Sequence, residues 1–132
     1  MIVVDASVVA NAIADDGVAG GIARRRLVEA DRLAAPDLVD VETVSVMRRR
    51  WLAGTLTARR FSAAVDDLAD LDLWRVPVLP LMRRAYELRA DVTPYDAAYV
   101  ALAEALKTTL ITGDGRLARA PGLRCPVEVL TA

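Results

Sequence analysis

Four carboxylates stand where a fold could gather them: Asp5, Glu42, Asp96 and Asp114. Taken singly, three have ordinary explanations. Asp5 closes the apolar run Ile2-Val3-Val4, and Asp114 lies between glycines after Thr109-Leu110-Ile111-Thr112, places where Asp commonly caps or turns the chain. Asp96 follows Thr93 by three residues, in a first helical turn where the helix dipole favours acids. Glu42 is different. Leu38 and Val46 flank it at helical spacing, and Val39, Val41 and Leu52 fill the same arc, so its charge needs a partner. That partner is an Arg, with Arg49 two turns along, a proton or a metal. Like charges that cluster must share protons or hold a cation, and donors that are all oxygen suit the hard ions Mg²⁺ and Mn²⁺. Such a centre can activate water and offset the charge on a phosphodiester during in-line attack.

The rest of the composition narrows the chemistry further. The chain of 132 residues has no His and one Cys, which excludes Ser-His-Asp and Cys-His triads, His-ligated zinc and an intrachain disulfide. Lys and Arg number 17 against 18 Asp and Glu, so no gross basic excess announces nucleic acid. Setting the four candidate acids aside leaves 14 acids against those 17 bases, a mildly cationic scaffold around an acidic pocket. A hydrophobic fraction of 55% suffices for a core, and the length suits a single domain over residues 1–132. The start Met1-Ile2-Val3-Val4-Asp5 reaches an acid too soon for a signal peptide, and no segment runs apolar for a membrane span. The expectation is a cytoplasmic protein whose Cys125 stays a reduced, structural thiol.

The elements that must position the acids alternate. Ile2–Val4 reads as a buried strand, with Ser7 placed to cap a helix through Ala14. A second helix over Val18–Ala30 turns Ile22, Leu27 and Val28 inward, and Arg32–Ala35 is a weak strand before Pro36. Asp37–Ala53 is strongly helical and stops at Gly54; Thr57 caps the next helix, with Phe61, Ala64, Val65, Leu68 and Leu71 at three- and four-residue spacing. Leu73–Leu79 is β-rich, and Leu81–Arg89 is a short helix. Thr93-Pro94 opens a helix to Lys107, Thr109–Thr112 is a strand, and Pro126–Leu130 is the last. Strands separated by helices imply an α/β fold with a parallel sheet covered on both faces, and sites in such sheets form beyond the carboxyl ends of the strands.

Four blocks, "MIVVDASV", "PDLVDVE", "TPYDAAYVALAEAL" and "LITGDGRLARAPG", resemble in order and spacing the PIN-domain ribonucleases, and more narrowly the VapC-type toxins of bacterial toxin-antitoxin pairs. The resemblance spans nearly the whole chain, and its specificity lies in the four blocks together. It implies a three-layer α/β/α sandwich with a short parallel sheet of four to five strands, and an endoribonuclease dependent on Mg²⁺, with Mn²⁺ able to substitute. Carried over, the family's acidic quartet falls on Asp5, Glu42, Asp96 and Asp114, with Ser7 and Thr112 as supporting hydroxyls. Asp5, Asp96 and Asp114 are expected to hold metal while Glu42 orients or deprotonates the attacking water, leaving a 5′-phosphate and a 3′-hydroxyl. Some relatives carry a further acid two residues after the last, where this chain has Arg116, which speaks against a second tightly held ion.

The implied partners are a VapB-type antitoxin, an RNA substrate such as tRNA or another structured RNA, and a second toxin copy, giving a homodimer and a toxin-antitoxin hetero-oligomer. Arg24–Arg26, Arg48–Arg50, Arg59-Arg60 and Arg83-Arg84 are candidate contacts for RNA, or solvated helix faces. Val44, Met47 and Trp51 form a second apolar side on their helix, suited to an interface or to burial beneath the next helix. Rival Asp-plus-Mg²⁺ proteins fit less well. A haloacid-dehalogenase-type phosphatase wants an Asp where Ser7 stands, and a receiver domain wants a Lys after a late strand, whereas Lys107 precedes its strand. The remaining alternative is a PIN-like module that binds RNA or protein without cutting.

Overall fold

β-branched and apolar side chains make the central strand, β1 (Ile2–Val4), buried at all three positions, as a strand covered on both faces must be. In the computed structural model, which describes residues 1–131, four further strands join it: β2 (Leu33–Pro36), β3 (Trp74–Val76), β4 (Thr109–Thr112) and β5 (Val127–Val129). All pairings are parallel, in the order β3-β2-β1-β4-β5, with Val4 opposite Ile111 across the central pair. The five strands and the α/β class agree with the sequence expectation.

The intervening helices are α1 (Ala6–Ala14), α2 (Val18–Glu29), α3 (Val39–Leu52), α4 (Ala58–Asp70), α5 (Met82–Glu87), α6 (Pro94–Leu106) and the short α7 (Gly115–Ala118). Right-handed crossovers stepping from β1 to β2 to β3 put α1–α4 on one face; the return across the sheet to β4 puts α5 and α6 on the other. The packing agrees, with α1 against α2, α3 and α4, and α6 against β1, β2 and β4. Ala97 through Ala103 are all buried, so α6 lies under the sheet as a nearly continuous apolar rod. Because the chain departs from β1 on one side and returns to β4 on the other, the crevice of the sheet opens at the carboxyl ends of β1 and β4.

Three local readings change. α1 is capped by Asp5, whose carboxylate accepts from the Val8 amide, so the cap sits two residues before Ser7. α2 buries its small residues Gly20 and Ala23, and a Cβ on Gly20 would lie 1.7 Å from the Asp15 carbonyl oxygen. Val28, eight residues beyond Gly20, faces solvent at 84% exposure. On α3 the buried line is Val39, Thr43 and Met47, one residue round from Glu42, so Glu42 borders the core while Val41 and Leu52 face solvent. Of the second apolar side, Met47 is buried, Val44 partly so, and Trp51 is exposed. No helix among the described residues is long and apolar enough to cross a membrane.

Candidate active site

All four acids stand at helix beginnings. Asp5 is the N-cap of α1 and Asp114 the N-cap of α7; Glu42 and Asp96 lie in the first turns of α3 and α6. Free amides and the positive ends of four helices therefore converge on one place, which tolerates negative charge there. The structure brings Asp5, Glu42, Asp96 and Asp114 together, with Ser7, into the walls of one cleft of about 210 Å³.

Asp5 is the most constrained. One carboxylate oxygen accepts from Ser7 Oγ at 2.6 Å and from the Val8 amide at 3.2 Å; the other accepts from Thr112 Oγ1. Each hydroxyl is in turn an acceptor, Ser7 Oγ from the Gly113 amide at 3.2 Å and Thr112 Oγ1 from the Asp114 amide at 3.0 Å. Two hydroxyl relays thus lash the loop after β4 to the carboxylate after β1, and both supporting residues expected from sequence make these bonds. Thr93 Oγ1 accepts from the Asp96 amide at 3.2 Å and so begins α6 with Asp96 set at its mouth.

Glu42 has a partner that sequence reasoning missed. It is neither Arg49 nor another cation: Tyr99 donates its hydroxyl to Glu42 Oε1 at 2.7 Å, across 57 residues. Tyr99 stands one turn beyond Asp96 on α6 and reads, among Ala and Val neighbours, as core. Its phenolic oxygen was the available signal, because a buried Tyr hydroxyl needs an acceptor.

Burial and crowding push three of the acids up. For Asp5 burial dominates, opposed by the hydroxyl bonds from Ser7 and Thr112. For Glu42 burial acts first, reinforced by the charges of Asp96 and Asp5 and opposed by Tyr99 and Arg49. Asp96 is raised by burial and then by Asp5 and Asp114. Asp114 departs from this pattern: bonds from the Arg116 amide and guanidinium hold its carboxyl below the usual range. Burial and Glu42 drive the Tyr99 phenol far above its ordinary value, so it remains a donor at every working pH.

Among the described residues, no three acidic, His or Cys groups enclose a point tightly enough to hold an ion by direct contact alone. The donor set nevertheless fits Mg²⁺, which needs only one or two carboxylates and keeps several waters. Carboxylates that repel one another are also stabilised by a cation.

A PIN-domain family model matches residues 2–123. The chain belongs to the PIN-domain family. Within that family it is 42% identical over 130 residues to the ribonuclease VapC9 of Mycobacterium tuberculosis, covering 98% of each chain. Solved structures share its architecture. VapC20 of the same organism, described as a sarcin-ricin loop cleaving toxin, superposes with a TM-score of 0.72 at 20% identity, over 93% of this chain and 96% of that one. VapBC2 from Rickettsia felis, bound to a DNA fragment from its promoter, gives 0.68 at 16% identity over 99% and 100%. These two likenesses concern the fold; the closer sequence relationship makes this PIN domain a VapC-type ribonuclease, a toxin endoribonuclease of the toxin-antitoxin class.

Proposed function

We propose that the cleft between α3, α6 and the ends of β1 and β4 is where this VapC-type toxin hydrolyses RNA. The observation that carries the assignment is the meeting of four carboxylates, drawn from residues 5 to 114, at the switch point of the sheet. Asp5, Asp96 and Asp114 would hold a divalent cation, Mg²⁺ or Mn²⁺, directly or through water. When bound, such an ion lowers the pKa of water and offsets charge building on a phosphodiester.

The protein's own groups do the rest. Ser7 and Thr112 donate to Asp5, which aims its oxygens and opposes the effect of burial on its charge. Glu42 accepts the proton of the attacking water. Its raised proton affinity suits that exchange near neutral pH better than an ordinary carboxylate would. Tyr99, always protonated, fixes the Glu42 oxygen that does not take the proton. Arg116 holds Asp114 and puts a positive charge where some relatives carry a further acid. The products are a 5′-phosphate and a 3′-hydroxyl, and the substrate is a structured RNA, tRNA foremost. A VapB-type antitoxin restrains the toxin in the cytoplasm, in a hetero-oligomer with a toxin homodimer.

Purified protein incubated with RNA and Mg²⁺ should cleave, lose activity in EDTA, and regain it with Mn²⁺. Asp96→Asn should lower cleavage by at least about 100-fold, the scale expected when an electrostatic element of the transition state is lost. Full metal-stimulated cleavage by that variant would refute the assignment. Calorimetry separates the enzyme from a binding module, which would take up no metal in a manner dependent on Asp5.

A further inference from the structure

A cleft walled by four carboxylates is a poor host for RNA, which arrives with an anion at every nucleotide. An ion between the acids offsets the scissile phosphate, but the phosphate beside it needs a positive group on the protein. The structure sorts the basic residues that could serve. Arg26, Arg60, Arg75 and Arg84 are tied to Glu128, Asp16, Asp40 and Glu104. Arg24 donates to the carbonyls of Ala12 and Asp15, and Arg50 to the Asn11 side chain. Arg32 lies over the ring of Trp74, and Arg83 and Arg89 flank Tyr86. Most of the arginine runs therefore hold the fold together.

Arg49 is different on three counts. It lines the acidic cleft itself, whereas Arg116 at the edge is tied to Asp114. It shares one face of α3 with Glu42 and Ser45, at spacings of seven and four residues. And it forms no ion pair among the described residues, its one hydrogen bond being a 3.3 Å contact to Ser45 Oγ. It is near enough to Glu42 to ease that carboxyl's ionisation, yet it does not bond to it. Four of the five N–H donors of an exposed guanidinium thus remain available at the rim.

We propose that Arg49 binds the RNA phosphate next to the scissile one, as a substrate-binding residue that brings the strand over the acids. Guanidinium suits this because two parallel N–H donors can grip one phosphate. The proposal rests on the reading of the cleft as the ribonuclease site.

The test uses a fluorescein-labelled RNA hairpin and the full chain. Binding is measured by anisotropy in Mg²⁺ across a KCl series, in an Asp96→Asn background with and without Arg49→Gln or Arg49→Lys. Cleavage by Arg49→Gln with all acids intact is measured in parallel. Losing one phosphate contact should weaken binding about tenfold at low salt and flatten the plot of log K against log salt by about 0.7. Arg49→Lys should keep the slope while losing part of the affinity, and Arg49→Gln should raise KM more than it lowers kcat. An unchanged slope and affinity would overturn the proposal. So would a loss confined to kcat with the slope intact, which would make Arg49 only a counter-charge for Glu42. Cleavage that needs the acids but ignores Arg49 removes this proposal and leaves the site standing. Absence of both binding and cleavage removes both.

Discussion

Tyr99 is 2% exposed, yet its hydroxyl reaches the cleft and holds Glu42. Replacing it with Phe keeps the ring and removes only that donor. The expected result is a fall of about 10- to 100-fold in kcat, the usual cost of losing a partner that orients an active group. The Tyr99 bond lowers the proton affinity of Glu42, so losing it raises that affinity further. The acidic limb of the pH-rate profile should therefore move to higher pH, a shift that a merely loosened core would not produce. The acids themselves were legible in the sequence, because a charge at a strand end, in a helix's first turn or beside an apolar arc invites a physical question. For Tyr99 the only signal was a phenol in need of an acceptor. Its value depends on an acceptor 57 residues away, which residue type and spacing do not encode.

Helix starts carry the site, and their caps are local enough to be read in advance. Thr57 and Thr93 cap α4 and α6, as the sequence indicated, each through a hydroxyl accepting from the third amide onward. Either Thr→Ala change should cost about 1 kcal/mol, measured as a shift in the urea midpoint. Only Thr93→Ala should also reduce cleavage, because the hydroxyl it removes bonds the amide of Asp96. Equal effects of the two variants on activity would show that α6 places Asp96 without its cap. Helix faces were less legible than helix ends. An apolar pattern cannot tell which of two adjacent stripes meets the core. On α3 the choice fell to Val39, Thr43 and Met47, and on α2 to Gly20 and Ala23.

At the scale of the molecule, the gathered acids trade stability for function. Asp5 and Asp96 take protons more readily in the fold than at their ordinary 3.8, and Glu42 more readily than at 4.5. An acid raised in this way favours the fold while protonated, and that contribution is lost as pH rises through its folded value. Asp114, depressed by Arg116, acts oppositely and loses its contribution only on acidification below the ordinary range. In EDTA these three acids should therefore raise the thermal midpoint as pH falls toward the ordinary carboxylate range. Asp96→Asn should flatten that climb, and Mg²⁺ should raise the midpoint most at neutral pH through preferential binding to the folded state. A pH dependence unaffected by Asp96→Asn would contradict this account. The α/β class and the parallel sheet were legible from alternating elements, and the strand order from neither composition nor spacing, since it depends on where the chain reverses.

That reversal has a consequence for synthesis. The bond from Thr112 to Asp5 spans 107 residues, and the strand that aims Asp5 is among the last to be made. At ribosomal rates of ~5–20 residues per second, roughly 5–20 s separate the two ends of the site. A chain halted before Thr109 already carries Asp5, Glu42 and Asp96 but lacks the neighbour of β1 that lashes the first of them in place. The order of the strands thus leaves Asp5 without its Thr112 bond until β4 has been made.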